Sequence, residues 1–122
     1  MLKFYILENA QIKEVDFLTL LRWELSVGNS DNHCIAATNL FGGVWVSTIF
    51  LTFNHNWHEI GPPVLFETMI FGGPLDRQQE RYTSLDAALS GHERNCGLAL
   101  RAWYNKENHE QFIEAFLREV YD

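Results

Sequence analysis

The stretch Trp45–Trp57, WVSTIFLTFNHNW, and the run Val64–Gly73, VLFETMIFGG, decide the fold. Both begin in β-branched and aromatic residues, the composition of strands. Within Val44–Phe53 one side carries Trp45, Ser47, Ile49, Leu51 and Phe53, the other Val46, Thr48, Phe50 and Thr52. That division has the period of a strand. The Trp45 side bears the larger apolar load, yet both sides hold apolar residues, so a central strand covered on both faces is expected. The connection between the runs, NHNWHEIGPP, contains Pro62-Pro63, which a central strand excludes. It is too short for a crossover helix, so the two runs pair antiparallel.

Towards the N-terminus, KFYIL and QIKEV read as two short strands around the turn ENA. Asp16 is placed to cap a helix, FLTLLRWEL, with Phe17, Leu18, Leu21 and Leu25 on one broad apolar face. VGNSDNH has the chemistry of a loop, HCIAATNL of a strand and FGG of a tight turn. Beyond the central pair, GGPLD closes the second run, and QERY is a short last strand. Thr83 with Asp86 three residues on has the form of a capping box. The helix it opens carries Leu85, Ala88, Leu89, His92 and Cys96 and runs towards Trp103. Asn105 or Asn108 caps a final helix striped by Phe112, Ile113, Phe116, Leu117 and Val120. Strands in mid-chain with helices at the ends describe a single α+β domain over residues 1–122. Its sheet is antiparallel, with about four to six strands, and helices pack on it.

Composition narrows the functional classes. At 47% hydrophobic and 14% aromatic residues the chain is too apolar to be disordered. Sixteen acids against nine Lys and Arg leave a net charge of -7. This argues against direct nucleic-acid binding, which needs a basic face, and against docking on anionic lipid. No apolar run approaches the ~20 residues of a membrane span, and MLKFYILENAQIKEVD does not have the form of a signal peptide. Cys34, in an apolar run, and Cys96, on a helix, are expected as two free buried thiols in a reducing cytoplasm.

Three blocks of the middle sequence resemble a known family. VSTIFLTFNHNW, PPVLFETMIFGG and ERYTSLDAALSGHE are similar, in that order, to the motifs of an uncharacterised family of small proteins encoded by tailed bacteriophages. The likeness covers roughly Ala36–Glu93. Thr52-Phe53-Asn54 stands where the family has a Gly-hydrophobic-Asp step, so Asn54 replaces a carboxylate beside His55. The resemblance implies a viral origin, a place in the host cytoplasm and an accessory role. It supplies no substrate.

The candidate chemistry centres on His55, at the tip of one strand, and Glu67, inside the next. As an acid/base pair they would serve a small hydrolase together with His92. The structural alternative has His55 capping a turn, while Glu67, expected opposite Phe50 or Leu51, meets His92 and fixes how the helix docks. Gly91 beside His92 costs ~1 kcal/mol in a helix relative to Ala, which points to close approach of the backbone there. HNWHE offers His55, His58 and Glu59 but matches no zinc-protease signature, so no metal is expected. Gly42-Gly43 and Gly72-Gly73 read as turns rather than a phosphate cradle. Trp57 on the long loop, with His55 and His58, is a candidate grip on a protein. With Arg81 the same group is a candidate pocket for a small nucleotide signal. The leading expectation is a non-enzymatic accessory protein, without cofactor, that binds a host protein, inhibition of a bacterial defence system being one such role. Sequestration of a nucleotide signal is the alternative and the hydrolase the third. A homodimer would bury apolar surface that a small domain leaves exposed.

Overall fold

The computed structural model of the chain describes residues 2–26, 33–56, 60–106, 114 and 117–119. Two strands, β1 (Phe4–Glu8) and β2 (Gln11–Val15), form an antiparallel hairpin. Its turn places Asn9 at φ 51° and Ala10 at φ 64°, the left-handed pair that a two-residue hairpin turn requires. Helix α1 (Phe17–Ser26) follows at once. Its start is set by Asp16, whose Oδ1 accepts from the Thr19 N–H at 2.8 Å.

The remaining strands, β3 (Cys34–Asn39), β4 (Trp45–Phe50), β5 (Phe66–Phe71) and β6 (Gln79–Tyr82), form a four-stranded antiparallel sheet in chain order. Helix α2 (Leu85–Lys106) packs across it. The fold is α+β, as expected, with the strands divided into a four-stranded and a two-stranded sheet. The expected final helix falls mostly outside the described residues, of which Glu114 and Leu117–Glu119 are helical.

Pairing in the central hairpin sets Ile49, rather than Phe50 or Leu51, opposite Glu67. The offset has a local cause. Leu51 N–H still donates to the Leu65 carbonyl at 2.6 Å, and His55 N–H donates to the Val64 carbonyl at 3.0 Å. The three residues Thr52–Asn54 bow out between these bonds and meet the N-terminal hairpin. There the Tyr5 N–H donates to the Thr52 carbonyl at 2.8 Å, and Phe4 stands opposite Phe53. The bow also ends β4 at Phe50 instead of Phe53.

Coverage of the sheet differs from the sequence expectation. Among the described residues only one face of β4 and β5 is fully packed. Val46, Thr48, Phe50, Phe66, Thr68 and Ile70 lie fully buried on the face under α2. The opposite face, which carries the heavier apolar load on β4, stays partly open. There Trp45 is 40% exposed and stacks on Phe71 at 4.2 Å between ring centroids. Side-by-side stacking shields each aromatic ring without a covering layer.

Two apolar clusters fill the space beneath α2. One gathers Tyr5, Phe50, Leu65, Phe66, Tyr82 and Ala88; the other gathers Val44, Val46, Ile70, Ala99 and Trp103. Full burial of a side chain such as Phe50 contributes about 1.5–3 kcal/mol. Gly91 lets the helix come this close. A Cβ there would land on the Tyr82 ring and hydroxyl, which accounts for a glycine in mid-helix. The helix starts one residue later than the capping box suggests. Ser84 Oγ, not Thr83, accepts from the Ala87 N–H at 3.1 Å. Cys34 is exposed rather than buried, because the β-bulge between it and Ala36 leaves it on the open face. Among the described residues no helix is long and apolar enough to cross a membrane.

Candidate interaction surface

Helix α1 turns inward the residues that sequence periodicity did not single out. Leu20 is buried, and Trp23 is anchored by its indole N–H donating to the Leu7 carbonyl at 3.2 Å. The Trp23 ring meets Phe50 and His33 edge-on, at 5.9 and 5.2 Å. The stripe Phe17, Leu18, Leu21 and Leu25, read from the sequence as the apolar face of the helix, therefore points outward, with each residue 40–81% exposed. One tryptophan supplies a larger docking surface than any single leucine, and it determines which side of the helix faces the sheet.

The stripe continues beyond the helix. Phe17 packs on Phe4 with ring centroids 5.5 Å apart. Phe4 and Phe53 are direct antiparallel partners, so their side chains project to one side of the ladder. Phe53 in turn stacks on the His55 ring at 5.2 Å and 15°. The bow in Thr52–Asn54 thus joins the loop-tip histidine to α1 through a row of aromatic rings. Asn54 holds the loop in this shape, its side-chain oxygen accepting from the N–H groups of Asn56 and Val64, both at 2.8 Å. That role needs an acceptor rather than a charge, so an amide serves.

The residues proposed for catalysis are kept apart. His55 Nδ1 donates to the Phe53 carbonyl at 2.8 Å. Glu67 lies on the open sheet face, paired with Arg81 at 3.0 Å. His92 is on the opposite face, under α2, between the Thr48 hydroxyl at 2.7 Å and the Thr38 hydroxyl at 2.9 Å. The expected contact of His92 with Glu67 is therefore absent: β5 alternates, and Thr68 rather than Glu67 points towards α2. Glu67 is three residues along the extended chain from Val64, the residue bonded to His55, a span of about 10 Å. Arg81, the cation invoked for a nucleotide pocket, is held by Glu67. Trp57 and His58 lie outside the described residues.

Around His92 the polar groups close on themselves. Thr48 and Thr68 share a hydrogen bond of 2.5 Å between their hydroxyls. Asn95 bonds to the Gly91 carbonyl at 2.7 Å and to the Tyr82 hydroxyl at 3.3 Å, while Arg94 pairs with Glu80. Burial holds the His92 pKa below the ordinary histidine value, with the Glu93 charge opposing the shift. It also pushes the Cys96 thiol up, against a hydrogen bond from Thr38. Neither group is tuned towards a nucleophile. Among the described residues every buried side-chain polar atom has a partner, and no group of three or more His, Cys, Asp or Glu converges to hold a metal ion.

A second histidine site escaped the sequence reading. His33 Nε2 lies 2.9 Å from both oxygens of Glu24, and Nδ1 lies 3.0 Å from the Phe50 carbonyl. Burial acts against the charged ring and is the largest single effect. The hydrogen bond to Glu24, the Phe50 carbonyl and the Glu24 charge together outweigh it, so the pKa is raised. Both nitrogens face acceptors, and only the protonated ring satisfies both. The site joins α1 to β4 across residues 24, 33 and 50, a link that no short spacing in the sequence announces.

Comparison with family models, with curated proteins and with solved structures finds no significant match for this chain.

Proposed function

We propose that the protein is a non-enzymatic accessory protein that binds a host protein through the apolar strip from α1 to His55. The observation that carries this reading is the row Leu21, Leu18, Phe17, Phe4, Phe53 and His55, half-buried at Phe4 and His55, exposed at the other four, and continuous over a helix, a strand and a loop. Contiguous exposed apolar surface of this kind marks interaction sites, and aromatic anchors carry much of the energy of such contacts. The engagement of His92, Glu67 and Arg81 in internal bonds also favours binding over catalysis. Phage origin and inhibition of a defence system belong to the same proposal and rest on the sequence resemblance.

The test is capture from bacterial lysate with tagged protein and with the double variant Leu18→Asp/Leu21→Asp. The wild type should retain a discrete host protein that the variant loses, with thermal melts of the two proteins alike. His55→Ala should weaken retention without abolishing it. Equal capture by both proteins, or a retained small molecule in native mass spectrometry, would remove the strip from the account.

A further inference from the structure

The four-stranded sheet has two edges of different character. Strand β6 is four residues long and carries Glu80 and Arg81, charges of the kind that protect a sheet edge. Strand β3, CIAATN, is six residues long and has no charge and no proline. The bonds that flank it set the direction of its backbone groups. Leu40 N–H donates to the Val44 carbonyl at 2.7 Å, and Phe50 N–H donates to the His33 carbonyl at 2.7 Å. Alternation along an antiparallel ladder then turns Thr38, opposite Val46, and Ala36, opposite Thr48, towards β4. The N–H and C=O groups of Ala37 and Asn39 point away from the sheet. Both residues are exposed, and among the described residues no backbone bond meets these groups.

We propose that β3 is the seam of a symmetric dimer, pairing antiparallel with β3 of a second copy so that Ala37 of each chain faces Asn39 of the other across a two-fold axis at Thr38. This register uses all four outward groups in four hydrogen bonds. It lies wholly within the regular part of the strand, clear of the bulge between Cys34 and Ala36. β3 carries no charged residue, so self-pairing sets no like charges opposite each other along the seam, although each chain carries a net charge of -7. Ala37 and Asn39 project on the open sheet face, and Thr38 stays with His92 on the other. A foreign strand would gain the same four bonds, but here Ala37 and Asn39 offer none of the side-chain pockets from which strand addition draws its specificity. An edge of about 20 Å presents less than the ~800 Å² per partner of a standard interface, so the dimer exchanges with monomer on dilution.

Sedimentation velocity over a dilution series, combined with residue-resolved amide exchange, tests the seam on the full chain. The expected result is a reversible monomer–dimer equilibrium in which the Ala37 and Asn39 amides gain protection as dimer forms. Ala37→Pro removes an outward N–H and leaves the bonds to β4 in place. Two-fold symmetry deletes two hydrogen bonds per dimer, so the dissociation constant should rise at least about tenfold. A monomer at every concentration overturns the proposal. So does a dimer whose Ala37 and Asn39 amides exchange unprotected, since another surface would hold it. Protection of these amides that persists in dilute monomer also overturns it, because the chain itself would then cover the edge. The exchange measurement needs no variant and decides the matter even where Ala37→Pro fails to fold.

Discussion

Helix α2 presses a histidine, an asparagine and a glycine against the sheet, whereas α1 holds four large apolar side chains in solvent. Ordinary amphipathic helices do the reverse. Beneath α2, a hydrogen-bonded row made of Thr38, His92, Thr48 and Thr68 crosses three strands between two apolar clusters. Every group there finds a partner inside the protein, so the region is closed to ligands and fixes one docking of the helix. At α1 the half-buried Trp23 and the buried Leu20 do the docking, and the remaining apolar surface stays exposed. Burial of polar groups thus marks the contact of α2 with the sheet, and exposure of a large apolar stripe marks α1, the surface on which the proposed binding rests.

The comparison breaks most readily at Gly91. Gly91→Ala should destabilise the fold by about 3 kcal/mol, near the upper end of overpacking costs, despite the ~1 kcal/mol that alanine contributes to a helix. Urea unfolding measures the net effect. An unchanged midpoint would mean that Tyr82 can withdraw and that α2 is loosely seated. Thr48→Val comes next, at about 2 kcal/mol, because it leaves the His92 ring and the Thr68 hydroxyl each short of a partner. If that variant melts with the wild type, the hydrogen-bonded row is ornamental.

Titration sharpens the contrast, since the two histidines shift in opposite directions. His92 has a lowered folded pKa, so its contribution to stability is full above about 6.5 and is lost as pH falls through the folded value. His33 has a raised folded pKa. Its contribution is full below about 6.5 and is lost as pH rises through the folded value. Ring-proton resonances followed across pH should separate the two, with Glu24→Gln moving His33 downward and leaving His92 in place. Coincident titration of both rings would contradict the two environments. The smallest expected effect is on the open side. Leu18→Ser and Leu21→Ser should each change stability by no more than about 0.5 kcal/mol, and a loss of several kcal/mol would show that the strip is core after all.

Much of the local structure was legible. The alternation in Val44–Phe53, the apolar run Val64–Phe71 and the short connection between them identified the central antiparallel pair, Asp16 announced α1, and Gly91 announced close contact between helix and sheet. The candidate surface was not legible. Phe17, Leu18, Leu21 and Leu25 were recognised as one face, but periodicity says only that they travel together. Phe4 and Phe53 are far apart in the chain and become neighbours through the outward bow at Thr52–Asn54. The Glu24–His33 pair depends on how α1 sits against β4, and a one- or two-residue difference in register decided what Glu67 could meet.

The amino-acid sequence by itself determined which segments coil, which extend and which residues share a side, because backbone preferences, caps and side-chain periodicity act over a few residues. Only the tertiary structure decided which side is covered. Burial belongs to pairs of surfaces, and here it followed from fit: α2, carrying Ala88, Gly91 and Ala99, seats on the Val46–Thr48–Phe50 side of the sheet, and Trp23 takes the inward side of α1. The more apolar faces of both β4 and α1 were left outward as a result.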